Sequence, residues 1–412
     1  METKKSILIL DVPDRRSIPV VGSLGTEYNF HYLVPIRKGF SIEPLVKIAL
    51  ILLKPRHTKK MIFLSFETAE DIFLCLMEHL RKNNYDLVMA FSERSTAILC
   101  DYAVQIKKFT KIAHGEFRNF NILNDKLKIL EICREVGVPT PRFKSLDCAG
   151  DIENIAEIGF PLVLKCRLAS GVKQAFRVCH SVQDIRSAYD ELSNSSSFYP
   201  YFPCDKLVAE EFIRGKIFDA GVVVINTHIA AAVTQERVWT IPPEGGFGAY
   251  NVTRDLPELI DYGNKIFKKI PWKGPAQLEF IFDNNDKTFK LIEINPRFWG
   301  TTGLAVKAGV NVGGISIKAA LGDLEIQTPI IAPPGIDFAW LLQETLIAER
   351  MRGEKGNIIW RHIKKIFSKE INNFTYSIGA NFLLAIPHLL HQSPTRRKNN
   401  NSANSLAKQL FE

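Results

Sequence analysis

Residues 277–297 read Gln-Leu-Glu-Phe-Ile-Phe-Asp-Asn-Asn-Asp-Lys-Thr-Phe-Lys-Leu-Ile-Glu-Ile-Asn-Pro-Arg: two apolar runs around the turn formers Asp283-Asn284-Asn285-Asp286, closing on Pro296 and Arg297. The pattern predicts two antiparallel strands, 276–282 and 289–294, joined by a short turn. Alternate side chains of a strand share a face, so Glu279 and Glu293 fall on one side of the hairpin with Asn295 beside them. Any one of the three alone reads as a polar residue on a solvated strand. The set, on a strand otherwise built from Phe289, Leu291, Ile292 and Ile294, reads as converging oxygen donors. Hard oxygen ligands of this kind suit Mg²⁺ or Mn²⁺, with water and phosphate completing the shell. ATP is the expected companion. Arg297 then stands beside the phosphoryl group, where a guanidinium binds two oxygens and offsets developing charge, and it is the candidate catalytic residue.

Outward from the hairpin, residues 6–10, a helical segment over 69–82 and residues 86–91 predict a βαβ beginning on a parallel sheet. Asn124-Asp125 marks a helix start, and Leu127, Leu130, Ile132 and Cys133 predict a helix over 126–136, stopped by Gly137 and Pro139-Thr140-Pro141. Runs at 161–166 and 175–179 predict a hairpin, followed by a helix over 182–192. Residues 206–213, 218–226 and 229–238 read as successive antiparallel strands opening a larger sheet. Pro242 to Gly248, with its paired prolines and three glycines, is a loop, and 256–267 a helix. Beyond Pro333-Pro334 come a helix over 338–350, a basic stretch to 370 and an Asn/Ser/Lys-rich end.

Glu279, thirteen intervening residues and Glu293-Ile294-Asn295-Pro296-Arg297 resemble the metal motif of the ATP-grasp superfamily, most closely its carboxylate-amine ligase branch. The resemblance extends over about residues 1–330. It implies an ATP-grasp fold of mixed class, α/β and α+β. Its expected parts are an N-terminal open parallel-sheet (pre-ATP-grasp) domain at 1–118, a small lobe at 119–205, a large lobe at 206–332 and a basic helical C-terminal extension at 333–412. ATP would lie between the lobes, with Glu279, Glu293 and Asn295 as metal ligands. Lys126, in Asn124-Asp125-Lys126, is similar to the family's first phosphate-binding lysine, and Lys165, ending the apolar run Pro161 to Leu164, resembles the second and joins Arg297 as catalytic. Val208 to Gly215 resembles the hinge, which places Glu210, Glu211, Phe212 and Ile213 along the nucleotide and makes Asp219 the candidate ribose ligand. Ala169-Ser170-Gly171-Val172-Lys173 takes the place of the flap over the triphosphate, with a single glycine and with Lys173 as a candidate contact. Arg237, Gly245 and Gly246 resemble the segment bordering the acceptor, as substrate-binding residues.

The implied reaction activates a carboxylate as an acylphosphate and passes it to an amine, so the expected partners are a small carboxylate and an amine. Carboxylation or N-acylation by a small activated acid, and a membrane-tethered nucleotide-binding protein, are the alternatives. Among relatives of this kind homodimers are common. A chain of 412 residues, 46% hydrophobic and 24% charged, excludes disordered, collagen-like and disulfide mini-scaffold classes. No apolar run reaches the roughly 18 to 20 residues of a bilayer crossing, and Lys4-Lys5 precede too short a run for a signal-peptide core, so a cytoplasmic protein is expected. Seven cysteines, odd in number and without C-x-x-C spacing, predict reduced thiols with neither zinc nor disulfide. Of the net charge of +9, residues 350–412 carry +8 (eleven Lys or Arg against three Glu), leaving +1 on the preceding 349. That tail, with Trp360, Ile363, Ile366 and Phe367 at helical spacing among its cations, reads either as a helix with one face on the core or as a peripheral contact with an anionic membrane. No nucleic-acid recognition module is legible, and nucleic acid is not an expected partner.

Overall fold

The computed structural model describes residues 4–38, 47, 48, 50, 51, 54–168, 176–193, 202, 204, 206–225, 227–241, 246–324 and 328–339. Lys173, Gly245, almost all of the helix expected over 338–350 and the whole basic segment 350–412 lie outside the described residues.

The chain begins with strands buried on both faces, which is the condition of a parallel sheet covered by helices. Ile7, Leu8, Ile9 and Leu10 of β1 (Ser6–Leu10) are fully buried. With β2 (Asn29–Arg37), β3 (Thr58–Phe66), β4 (Leu87–Met89) and β5 (Lys111–Ile112), this strand forms an all-parallel sheet in the order β3-β2-β1-β4-β5. The order reverses between β1 and β4, and the carboxyl ends of those two strands open a crevice there. Asp11, just past β1, accepts the N–H groups of Phe91 and Ser92, just past β4, at 2.6 and 2.9 Å.

A second, antiparallel sheet has the order β6-β9-β7-β8. Its strands are β6 (Phe143–Leu146), β7 (Leu162–Cys166), β8 (Phe176–Cys179) and β9 (Leu207–Glu211). The predicted β7–β8 hairpin forms, with Leu162 opposite Cys179. Residues 206–213 were expected to open the larger sheet; instead β9 pairs with β6 and β7. Its alternation explains why: Leu207 and Ala209 pack with Leu162 and Leu164 under the helices Ile152–Ala156 and Val182–Ser193, while Val208 packs with Leu127 and Leu130 on the other face. The same register, Cys166 opposite Leu207, brings Cys204 to Cys166, and the two form a disulfide with Cα atoms 5.1 Å apart. This corrects the expectation of seven reduced thiols. Cys75, Cys100, Cys133, Cys148 and Cys179 are free.

The largest sheet runs β14-β13-β10-β11-β12-β16, built from β10 (Gly215–Ile225), β11 (His228–Ile241), β12 (Phe247–Thr253), β13 (Gly274–Asp283) and β14 (Phe289–Asn295). The short β15 (Ile330–Ile331) lies beside β11, and β16 (Asp337–Ala339) closes the edge. One face packs on the helices Phe117–Asn124, Lys126–Val136 and Pro257–Lys269 through Phe120, Ile129, Phe267, Leu278 and Phe280. The opposite face shares a core with the parallel sheet, where Val223 and Val233 join Ile7, Ile9 and Phe30 through Phe298, Trp299 and the helix Val312–Leu321. The helix Lys126–Val136 follows its sequence signals: the Asp125 carboxylate accepts the N–H groups of Leu127 and Lys128, and Gly137 ends it in the left-handed region at φ 71°. Among the described residues no helix is long and apolar enough to cross a membrane.

Trp299 lies so close against β10 that a Cβ built at Gly221 would be 2.1 Å from its ring, whereas one at Gly22, in the helix Ile18–Leu24, meets nothing within 4 Å. Gly221→Ala should therefore lower the unfolding free energy by about 1–3 kcal/mol through overpacking. Gly22→Ala should raise it by about 0.4–1 kcal/mol through lost unfolded-state freedom. Urea unfolding of both variants checks the opposite signs.

Candidate phosphoryl-transfer site

The apolar residues of the β13–β14 hairpin, Leu278, Phe280, Leu291 and Ile294, are buried against the helices, which turns the polar residues between them to the other face. Register pairs Glu279 with Glu293 and Gln277 with Asn295, which puts Glu279, Glu293 and Asn295 on one side of the hairpin as the sequence pattern predicted. Asn295 Nδ2 donates to Oε1 of both carboxylates at 3.1 Å each, and its Oδ1 accepts from Arg297 at 2.9 Å. The row continues across the sheet, because Asp219 on β10 stands opposite Glu279 on one side and Gln235 of β11 on the other. Three carboxylates thus lie on consecutive strands, an arrangement that repels itself unless cations are supplied.

The cations arrive from three directions. Arg237, from β11, reaches Asp219 at 2.5 Å and Glu279 at 2.6 Å. Burial alone would draw this guanidinium down, but Asp219 and Glu279 outweigh it and raise its pKa. Lys126, 6% exposed in the first turn of its helix, places Nζ 3.4 Å from Glu293. Lys165, on β7, pairs with Glu210 of β9 at 2.8 Å, and the second oxygen of Glu210 has no hydrogen-bond partner. The two metal-ligand candidates consequently diverge. Burial pushes Glu279 up to about 8, helped by Glu293 and Asp219 against the pull of Arg237. Burial also opposes ionisation of Glu293, but Lys126, Lys165, the Asn295 amide and Arg237 prevail and hold it at about 2.

The fold therefore brings together Glu279, Glu293, Asn295, Arg297, Lys126, Lys165 and Glu210. Two other expectations are corrected. Asp219 is fully buried and already accepts from Gln235, Gln277 and Arg237, so it has neither exposure nor a free lone pair for a ribose; it anchors Arg237 instead. Arg237 spends its donors on Asp219, Glu279 and the Gly246 carbonyl, at 2.7 Å for the last, and so positions Glu279 instead of reaching toward an acceptor. At the turn between β9 and β10, the Glu211 carboxylate takes Arg142 at 2.7 Å, Phe212 N–H bonds the Pro161 carbonyl and Ile213 is buried.

Sequence reading missed Glu93. This residue opens the helix Glu93–Asp101 just beyond β4, at the crevice of the parallel sheet, and places Oε2 3.8 Å from Arg297 Nε. Its other oxygen and the Arg297 Nε are buried without a hydrogen-bond partner. Burial raises the Glu93 pKa against Arg297 and Lys126. The available signal was positional: Ser92-Glu93 follows a strand at the reversal of strand order. Gln277 and Gln235, which hold Asp219, were missed as well.

Do these residues fit a divalent ion? Among the described residues no three acidic, His or Cys side chains cluster with metal-holding spacing. Two carboxylates remain, and these hard oxygen donors fit Mg²⁺ when water and phosphate supply the other positions; Asn295, expected as a third oxygen ligand, instead turns its Nδ2 toward both carboxylates and its Oδ1 toward Arg297.

A protein-family model described as "ATP-grasp in the biosynthetic pathway with Ter operon" matches residues 206–344. A carbamoyl-phosphate synthase of Methanobrevibacter smithii is 25% identical over 221 residues, 51% of this chain, which spans 56% of that relative. The biotin carboxylase domain of Hydrogenobacter thermophilus 2-oxoglutarate carboxylase, solved with MgADP, ADP and bicarbonate, is similar at TM-score 0.63 and 14% identity, over 80% of this chain and 72% of that one. The N5-carboxyaminoimidazole synthetase of Staphylococcus aureus with ADP is similar at TM-score 0.59 and 17% identity, over 81% of this chain and 82% of that one.

Because Glu279 is held near 8, it keeps its proton below that pH and must release it to ligate a cation. Mn²⁺ affinity should accordingly rise by about tenfold per pH unit from pH 6 to 8 and level off above, as read by calorimetry; a flat profile would contradict the assignment. Residues 206–344, which hold the converging hairpin, match an ATP-grasp family model, and the described residues share the fold of the biotin carboxylase domain and of the N5-carboxyaminoimidazole synthetase.

Proposed function

We propose that the chain is an ATP-dependent ligase that activates a carboxylate as an acylphosphate and joins it to an amine, releasing ADP and phosphate. The observation that carries this reading is the Glu279–Glu293 register pair spanned by Asn295, with Lys126 within 3.4 Å of Glu293. A divalent ion bound there would neutralise β- and γ-phosphate oxygens. The lysines act from the other side: Lys126 and Lys165 can exchange their carboxylate partners for phosphate oxygens when nucleotide enters. A substrate carboxylate oxygen attacks the γ-phosphorus, the bond to the bridging oxygen breaks, and Arg297 offsets the charge on the transferring group. The amine then attacks the acyl carbon, phosphate leaves, and the nitrogen gives up a proton. Glu93 holds the Arg297 guanidinium from behind, so that catalysis needs the parallel-sheet unit as well as the two-lobed cleft. Holding reactants in line supplies much of the rate in chemistry of this type.

A second reading is favoured by the similar solved structures that carry bicarbonate or a carboxyamino product in their names: the acid is bicarbonate and the product a carbamate. The basic segment 350–412, read from sequence as a membrane contact, plays no part in either reading.

A phosphate-release screen with ATP and Mg²⁺, pairing amino acids, small carboxylic acids and bicarbonate with amines, tests both. One acid and amine should jointly trigger ADP release. With that pair, Glu293→Gln should abolish turnover and Arg297→Ala should slow it by about 10²–10³-fold, with circular dichroism unchanged. A fully active variant of either would remove the site assignment.

A further inference from the structure

At the edge of the parallel sheet opposite the phosphoryl-transfer cleft, a cavity of about 530 Å³ opens between the starts of β4 and β5 and the loop leading into β13. Its wall carries Lys107, Lys108, Lys111 and Lys273 against a single carboxylate, Asp86, which already accepts the Ser6 N–H at 2.7 Å. Lys111 donates to the Leu321 carbonyl at the end of the helix Val312–Leu321. Among the described residues, the ammonium groups of Lys107, Lys108 and Lys273 have neither an ion pair nor a hydrogen bond. Partial burial, then Lys107 and Lys111, draw Lys273 below the ordinary lysine range. All four lysines are exposed, so their ammonium groups are open to an incoming anion.

We propose that this cavity is a binding site for a small phosphorylated molecule. A phosphate group offers several oxygens to point-like ammonium donors and relieves the repulsion among them. The volume falls within the range of small-ligand pockets, and Tyr85 and Phe109 supply aromatic surface on the wall, Phe109 being 43% exposed. The lysines are gathered in a concavity, not spread along a face, which favours a compact ligand over a nucleic-acid strand or an acidic protein. The site is independent of the ligase reading, and its substrate chemistry does not enter it.

Two probes separate the sources of the phosphate, pyrophosphate for a free inorganic anion and adenosine monophosphate for a nucleotide. Calorimetry and thermal unfolding are run on the full chain and on the double variant Lys107→Ala, Lys273→Ala. Without ligand, the variant should melt at a higher temperature than the wild type, since the substitutions remove repulsion. It should also bind at least one probe tenfold or more weakly; binding common to both proteins belongs to the nucleotide cleft. Tighter binding of the monophosphate, lost in Phe109→Ala, assigns a nucleotide; equal binding of both probes assigns phosphate alone. Equal affinities in variant and wild type would overturn the proposal. So would a variant that melts lower without ligand, or binding confined to oligonucleotide or heparin.

Discussion

Two carboxylates forced opposite each other by strand register are the constraint around which this molecule is built. Glu279 and Glu293 cannot move apart without breaking the β13–β14 ladder, and their repulsion has to be met by charge brought from elsewhere. Each receives a different answer. Glu293 faces lysines from the helix Lys126–Val136 and from the small sheet, whereas Glu279 faces an arginine from its own sheet. Counting Lys126, Lys165, Arg237 and Arg297 against Glu93, Glu210, Asp219, Glu279 and Glu293, this set of residues carries one carboxylate in excess once Glu279 has released its proton. That imbalance suits a divalent cation arriving with a polyanionic nucleotide, because each compensates the other.

The parallel sheet is more than a neighbour of this cleft. Phe298, one residue past Arg297, stacks on Phe91 with ring centres 4.3 Å apart, and Glu93 approaches the guanidinium two residues further along the same crevice. Trp299 fills the space over Gly221, tying the exit of β14 to β10. The arginine is thereby held between two sheets that share one core, so its direction depends on residues more than two hundred positions away in the chain.

Much of this was legible. The alternation around Asp283-Asn284-Asn285-Asp286 gave the hairpin and the shared face of Glu279, Glu293 and Asn295, because strand period alone decides which side chains share a face. Asp125 and Gly137 likewise marked the ends of a helix through local capping chemistry. What failed depended on tertiary partners. β2 contains Pro35 and β3 begins Thr58-Lys59-Lys60, so neither announces a buried strand; β2 is stabilised by pairing to β1, and β3 by pairing to β2. Asp219 looked available because nothing in its neighbourhood reveals that Gln235, Arg237 and Gln277 converge on it from two other strands. The Cys166–Cys204 pairing, 38 residues apart, follows from sheet register, which no cysteine spacing encodes.

The small sheet has a mechanical consequence. Its four strands are seated on the helix Lys126–Val136 by Val208 against Leu127 and Leu130 and by Arg167, which pairs with Asp125 at 2.6 Å and whose carbonyl accepts the Lys126 N–H. Lys165 and Glu210 belong to this unit, while Lys126 and Glu293 belong to the helix and the large sheet beside it. Under the proposed reading, a polyanion that drew both lysines off their carboxylates would tie the two parts together, and its departure would restore the original pairs.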